Sequence, residues 1–109
     1  MAYDEELAER IRGIVAGEAG LAEKRMFGGL AFLIDGHLAV CASGQGDLLL
    51  RVEPSETDEL AARPHARQAE MRGRAMAGWL RVAGPALGDD ELGRWVSRGV
   101  GYVRTLPPK

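Results

Sequence analysis

The chain has 109 residues, 46% hydrophobic and 28% charged, with a net charge of −2. That length fits one domain with one modest core, and the composition lies well outside the disordered, collagenous and disulfide-rich classes. A single cysteine, Cys41, excludes an intrachain disulfide and a thiolate metal cluster, so a reducing compartment is expected.

Asp4, Glu5 and Glu6 stand where a secretory leader would carry bases, and no apolar run reaches the length of a membrane span. A cytoplasmic protein with no membrane contact is therefore expected. Charge is unevenly distributed: residues 1–60 carry five bases against twelve acids, and residues 61–109 carry nine bases against four acids. Such a dipolar chain can orient a partner or a second copy of itself.

In chain order, Asp4 is expected to cap a helix in which Leu7, Ile11, Ile14 and Val15 share a face, with Gly17 and Gly20 ending it. Residues 30–34 and 37–41 flank Asp35-Gly36, the kind of pair a type I′ turn requires, and predict a hairpin. Gly44-Gln45-Gly46 leads to a third strand over residues 47–52, and Pro54 closes this meander. Ser55 with Asp58 predicts a capped short helix ended by Pro64. Two weaker extended runs, residues 68–71 and 78–82, complete the sheet. Gly88, Asp89 and Asp90 open a last helix with Leu92, Trp95, Val96, Gly99, Val103 and Leu106 on one face, and Pro107 and Pro108 end it. The expectation is one two-layer α+β domain over residues 1–109, with helices on an antiparallel sheet in the order α-β(3)-α-β(2)-α.

Pairing outward from the Asp35-Gly36 turn sets Leu33 opposite Leu38, Phe32 opposite Ala39 and Leu30 opposite Cys41. One hairpin face then carries Leu30, Phe32, Ile34, Ala39 and Cys41, and the other Ala31, Leu33, Leu38 and Val40. Both are apolar. Helices cover one face of a two-layer domain, so the second is expected to be hidden within the monomer or packed sheet to sheet in a homodimer.

Few residues suggest chemistry. In this pairing His37 lies four residues from Cys41 on one strand, roughly 13 Å away at about 3.3 Å per residue, so Cys41 reads as a packing thiol. His37 and His65 have no recognised ligand spacing, and no metal, cofactor or catalytic residue is expected. The acidic clusters 53–59 and 89–91 open helices, where negative charge belongs. Gly28-Gly29 precedes a strand, which argues against a phosphate loop and for a bulge or a close backbone approach. Beside that pair, Arg25, Met26 and Phe27 are binding candidates. Arg63, Arg67, Arg72, Arg74 and Arg81 form a loose basic stretch that strand geometry would split between faces, and Trp79 near Arg74 and Arg81 marks a second contact patch. Trp95 reads as core.

Three segments together resemble the N-terminal domain of the TfoX/Sxy family: residues 25–29 entering the Asp35-Gly36 hairpin, Met76-Ala77-Gly78-Trp79, and residues 95–99 running on to residues 106–109. The resemblance implies a secretion-chaperone-like α+β fold with the element order given above. It also implies regulation of competence genes for DNA uptake, alongside a cyclic-AMP receptor protein, without catalysis. Full-length regulators carry a second, C-terminal domain, and the likeness here is to the first. The leading expectation is a non-enzymatic module that docks on a protein partner of the transcription machinery through Arg25, Met26, Phe27, Gly28, Gly29, Arg74, Gly78 and Trp79. The alternatives are a nucleic-acid binder using the basic C-terminal half, and a small-molecule binder or enzyme using Cys41 or a cleft beside the sheet.

Overall fold

The computed structural model describes residues 3–26, 28–71, 73–83 and 87–107. Helix α1 (Glu5–Val15) starts where the acids predict, with Asp4 Oδ1 accepting the Leu7 N–H at 3.1 Å. Four strands follow: β1 (Leu21–Met26), β2 (Gly29–Ile34), β3 (His37–Ala42) and β4 (Leu48–Arg51). A 3₁₀ turn (Pro54–Glu56) and the short α2 (Thr57–Ala61) lead to β5 (Ala66–Met71), β6 (Arg74–Val82) and α3 (Asp89–Val103).

All six strands form one antiparallel sheet in the order β1-β2-β3-β4-β6-β5. The class is α+β as expected, with one strand more than the sequence reading assigns. The extra strand is β1. Its residues 22–25 are all exposed, so as an edge strand it lacks the apolar alternation that betrays a half-buried one.

A single core holds Leu7, Ile11 and Val15 of α1, Leu60 of α2 and Leu92, Trp95, Val96, Val100 and Val103 of α3 against Phe32, Val40, Leu48, Leu50, Leu80 and Val82 of the sheet. All three helices therefore lie on one side. At the β2–β3 turn, Asp35 and Gly36 take φ of 52° and 86°, the left-handed pair of a type I′ turn. The register then departs from simple counting. Leu33 faces Leu38, but Phe32 faces Val40 and Ala31 faces Cys41, so Ala39 is an extra residue.

That bulge reverses part of the expected face assignment: Val40 and Ala42 join the core, and Cys41 moves to the far side with Ala31. The bulge lies under α3, where the Gly99 position sits over the Ala39 carbonyl and the Val40 side chain.

Two caps differ from expectation. Ser55 caps nothing; instead Thr57 Oγ1 donates to the Pro54 carbonyl at 2.8 Å and accepts the Gly78 N–H at 2.7 Å, tying α2 to β6. Helix α3 stops at Val103, so Leu106 lies beyond it, though still packed on the core. His37 holds the chain there by donating from Nε2 to the Pro107 carbonyl at 2.6 Å, which fixes the tautomer and leaves Nδ1 buried with no partner among the described residues. Among the described residues no helix is long and apolar enough to cross a membrane.

Candidate protein-docking face

Strand alternation defines what the helix-free side presents. Ala31 and Leu33 of β2 stand between core residues Leu30, Phe32 and Ile34, and Trp79 and Arg81 of β6 stand on either side of core residue Leu80. Cross-strand pairing places Ala31, Cys41, Leu49 and Arg81 in one row across β2, β3, β4 and β6, with the Leu33–Leu38 pair beside it. Ala31 and Cys41 are fully buried, whereas Leu33, Leu38, Leu49 and Trp79 are half-buried and belong to no core cluster. The result is an apolar strip on the sheet face opposite the core.

A polar corner closes one end of that strip. In the β3–β4 loop, Ser43 Oγ donates to Asp47 Oδ1 at 2.6 Å and accepts the Gln45 N–H at 3.0 Å. Arg81 reaches across from β6 to Asp47 Oδ1 at 2.9 Å and to Ser43 Oγ at 3.2 Å, and Arg67 approaches Asp47 Oδ2 at 3.5 Å. The corner is thus internally satisfied. At the opposite end of β4, the Arg51 guanidinium lies 5.5 Å from the Trp79 ring centre and 5.7 Å from that of Tyr102, joining strand to α3 through two cation–π contacts. The cation beside Trp79 is Arg51, from a strand that sequence proximity to Arg74 and Arg81 does not suggest.

Burial pushes the Cys41 thiol up to about 11, with Arg81 opposing the shift and Asp47 adding to it. The thiol is neutral at physiological pH and is no nucleophile there. Because the folded value lies above the unfolded one, the folded state holds the proton more tightly. The associated stability is complete below pH 9 and is lost as pH rises from about 9 toward 11. By pH 10 the loss is about 1 kcal/mol. Urea unfolding of the Cys41→Ala variant is expected to show a flatter decline between pH 8 and pH 10 than the parent chain; parallel declines would remove the thiol as the cause.

The residues singled out from the sequence fall in separate places. Arg25 is paired with core residue Leu30, which puts it on the helix-bearing side of edge strand β1, next but one to Glu23, whose carboxylate is held below its usual range by a hydrogen bond from Arg12 of α1. Met26 is half-buried at the end of β1, and Phe27 lies outside the described residues. Gly28 lies in the β1–β2 turn and Gly29 opens β2, backing directly onto Ala42 at the end of β3 and Ser43 just after it. Trp79 stands four strands away on the opposite side of the sheet. Gly78 is buried and bonded to Thr57 and Val52, and Arg74 is exposed at the β5–β6 turn. The Arg25–Gly29 and Trp79 groups are therefore not one surface. Leu33, Leu38 and Leu49 share the side of Trp79. The first two are legible in the sequence as a second apolar hairpin face, but not as companions of that tryptophan.

Comparison with curated proteins and with solved structures gives no match. The family model described as the TfoX N-terminal domain matches residues 14–102, which takes in the whole sheet, α2 and nearly all of α3. With that span covered, and with the α+β architecture in place, the chain belongs to the TfoX N-terminal domain family.

Proposed function

We propose that this chain is a non-enzymatic binding module that works through protein contacts in transcription regulation, docking its partner on the helix-free side of the sheet. The observation that carries the reading is the strip formed by Leu33, Leu38, Leu49 and Trp79. These side chains flank fully buried Ala31 and Cys41, are themselves only half-buried, and stand outside the core cluster that the three helices share. Apolar surface of this kind gains free energy when a partner removes it from water, at roughly 25 cal/mol per Å². An aromatic residue at its end and an arginine-carboxylate corner at its rim give the composition that interfaces favour at centre and edge.

Family membership supports the transcription link, and the geometry supports docking by a face in preference to an edge. Both edge strands are charged, β1 by Glu23, Lys24 and Arg25 and β5 by Arg67 and Glu70, which opposes strand addition.

Leu38→Lys tests the reading, since the new ammonium would sit half-exposed on the strip and leave the core alone. Affinity capture from an extract of the source organism, quantified by mass spectrometry, is expected to lose the proteins retained by the parent chain. A core-neutral substitution on an edge strand, Lys24→Gln, is expected to retain them. An unchanged set of partners for Leu38→Lys would remove the strip from the claim. Sedimentation at micromolar concentration separates the competing occupant, a second copy of the chain, from a heterologous partner.

A further inference from the structure

Away from the sheet, the segment after α2 and the outer side of α3 enclose a pocket of about 200 Å³ lined by Arg63, Pro64, Glu91, Arg94, Trp95 and Arg98. Three guanidinium groups and one carboxylate thus border a single concavity. Their internal compensation is weak. Arg63 is 3.9 Å from Glu59 and Arg98 is 3.9 Å from Glu56, both too long for hydrogen bonds, and Arg94 has no ion pair among the described residues. By contrast, Arg81, Arg12 and Arg104 each make ion pairs of 3.0 Å or less.

The placement works against the fold taken alone. Arg94 and Arg98 are one helical turn apart on α3, a like-charge spacing that weakens a helix. Trp95 stands between them in sequence with only 5% of its surface exposed, so the pocket wall behind the arginines is apolar and strengthens any electrostatic contact made in front of it. Pro64 stiffens the segment that carries Arg63.

We infer that this pocket binds a phosphoryl group of a small ligand. Guanidinium forks match the paired oxygens of phosphate, and among the described residues none of these three is engaged in a hydrogen bond, Arg63 and Arg98 having only the long approaches to Glu59 and Glu56. At about 30 Å³ per water molecule the space corresponds to roughly seven waters, which suits phosphate or pyrophosphate and is too small for a whole nucleotide. The buried Trp95 offers no ring face for stacking a base. A nucleic-acid backbone presents the same chemistry, and the test separates the two sources.

An NMR titration of the full chain with pyrophosphate at constant ionic strength is expected to shift the amides of Arg94 and Arg98 and the indole of Trp95. The double variant Arg94→Gln/Arg98→Gln is expected to weaken binding roughly tenfold or more, the effect of losing charge-assisted hydrogen bonds. The charge-matched control Lys24→Gln/Arg67→Gln is expected to bind within about twofold of the parent chain, as distant exposed charges contribute little. Equal weakening in both variants, or shifts spread evenly over Lys24, Arg67 and Arg74, would overturn the site. A short duplex oligonucleotide provides the second arm. Duplex binding lost in Arg94→Gln/Arg98→Gln would keep the phosphoryl site and assign it to a nucleic-acid backbone, and absence of binding by both pyrophosphate and duplex would sink it.

Discussion

Gly29→Ala is expected to lower stability by about 3 kcal/mol, the upper end of overpacking costs, because the added methyl has nowhere to go. A Cβ at this position would overlap the Ala42 carbonyl oxygen and stand 3.0 Å from Ser43 Cα, and both obstacles are backbone that cannot swing aside. Gly28 is the contrasting neighbour. It has φ of 72° but nothing within 4 Å, so Gly28→Ala is expected to cost only about 1 kcal/mol, the penalty of a left-handed backbone. Urea denaturation of the two variants reads the difference directly. If Gly29→Ala proves as stable as the parent chain, the close approach of β2 to β3 is wrong. If it unfolds early, the second glycine of the pair is required by the sheet whatever partner the chain binds.

Helix α3 offers an internal comparison of similar size. Alanine normally stabilises a helix interior by about 1 kcal/mol relative to glycine. At Gly93 and Gly101 nothing lies within 4 Å of the place a methyl would occupy, so each change to alanine is expected to raise stability by about 0.5–1 kcal/mol. At Gly99 the sign reverses. Its Cβ would come within 2.8 Å of the Ala39 carbonyl oxygen and 3.1 Å of Val40 Cγ1, so α3 would have to lift from the bulge. Gly99→Ala is expected to cost about 2–3 kcal/mol. Thermal unfolding of the three variants checks the order, and a gain at Gly99 matching those at Gly93 and Gly101 would mean that α3 does not rest on the bulge.

Much of this fold was legible because local signals and packing agree. The Asp4 cap, the left-handed Asp35-Gly36 pair and the apolar face of α3 are each dictated by short-range geometry, and each stands where periodicity places it. What was not legible depends on contacts distant in sequence. The Ala39 bulge sits against Gly99, sixty residues away, and by shifting the register it moves Cys41 to the far side of the sheet. Strand β1 carries no apolar alternation to reveal it. Of the candidate residues, Trp79 lies on the face opposite the core, whereas Arg25 belongs to the other side, and no one-dimensional pattern distinguishes the two. The Arg63, Arg94 and Arg98 pocket was hidden for the same reason, since Arg63 joins the two α3 arginines only through tertiary packing.

The charges along the two outermost strands have a consequence for assembly. A molecule approaching edge-on would have to strip water from Glu23, Lys24 and Arg25, or from Arg67 and Glu70, before its backbone could extend the ladder. Growth into fibres by that route is blocked at its first step, and association is directed toward closed, countable complexes instead.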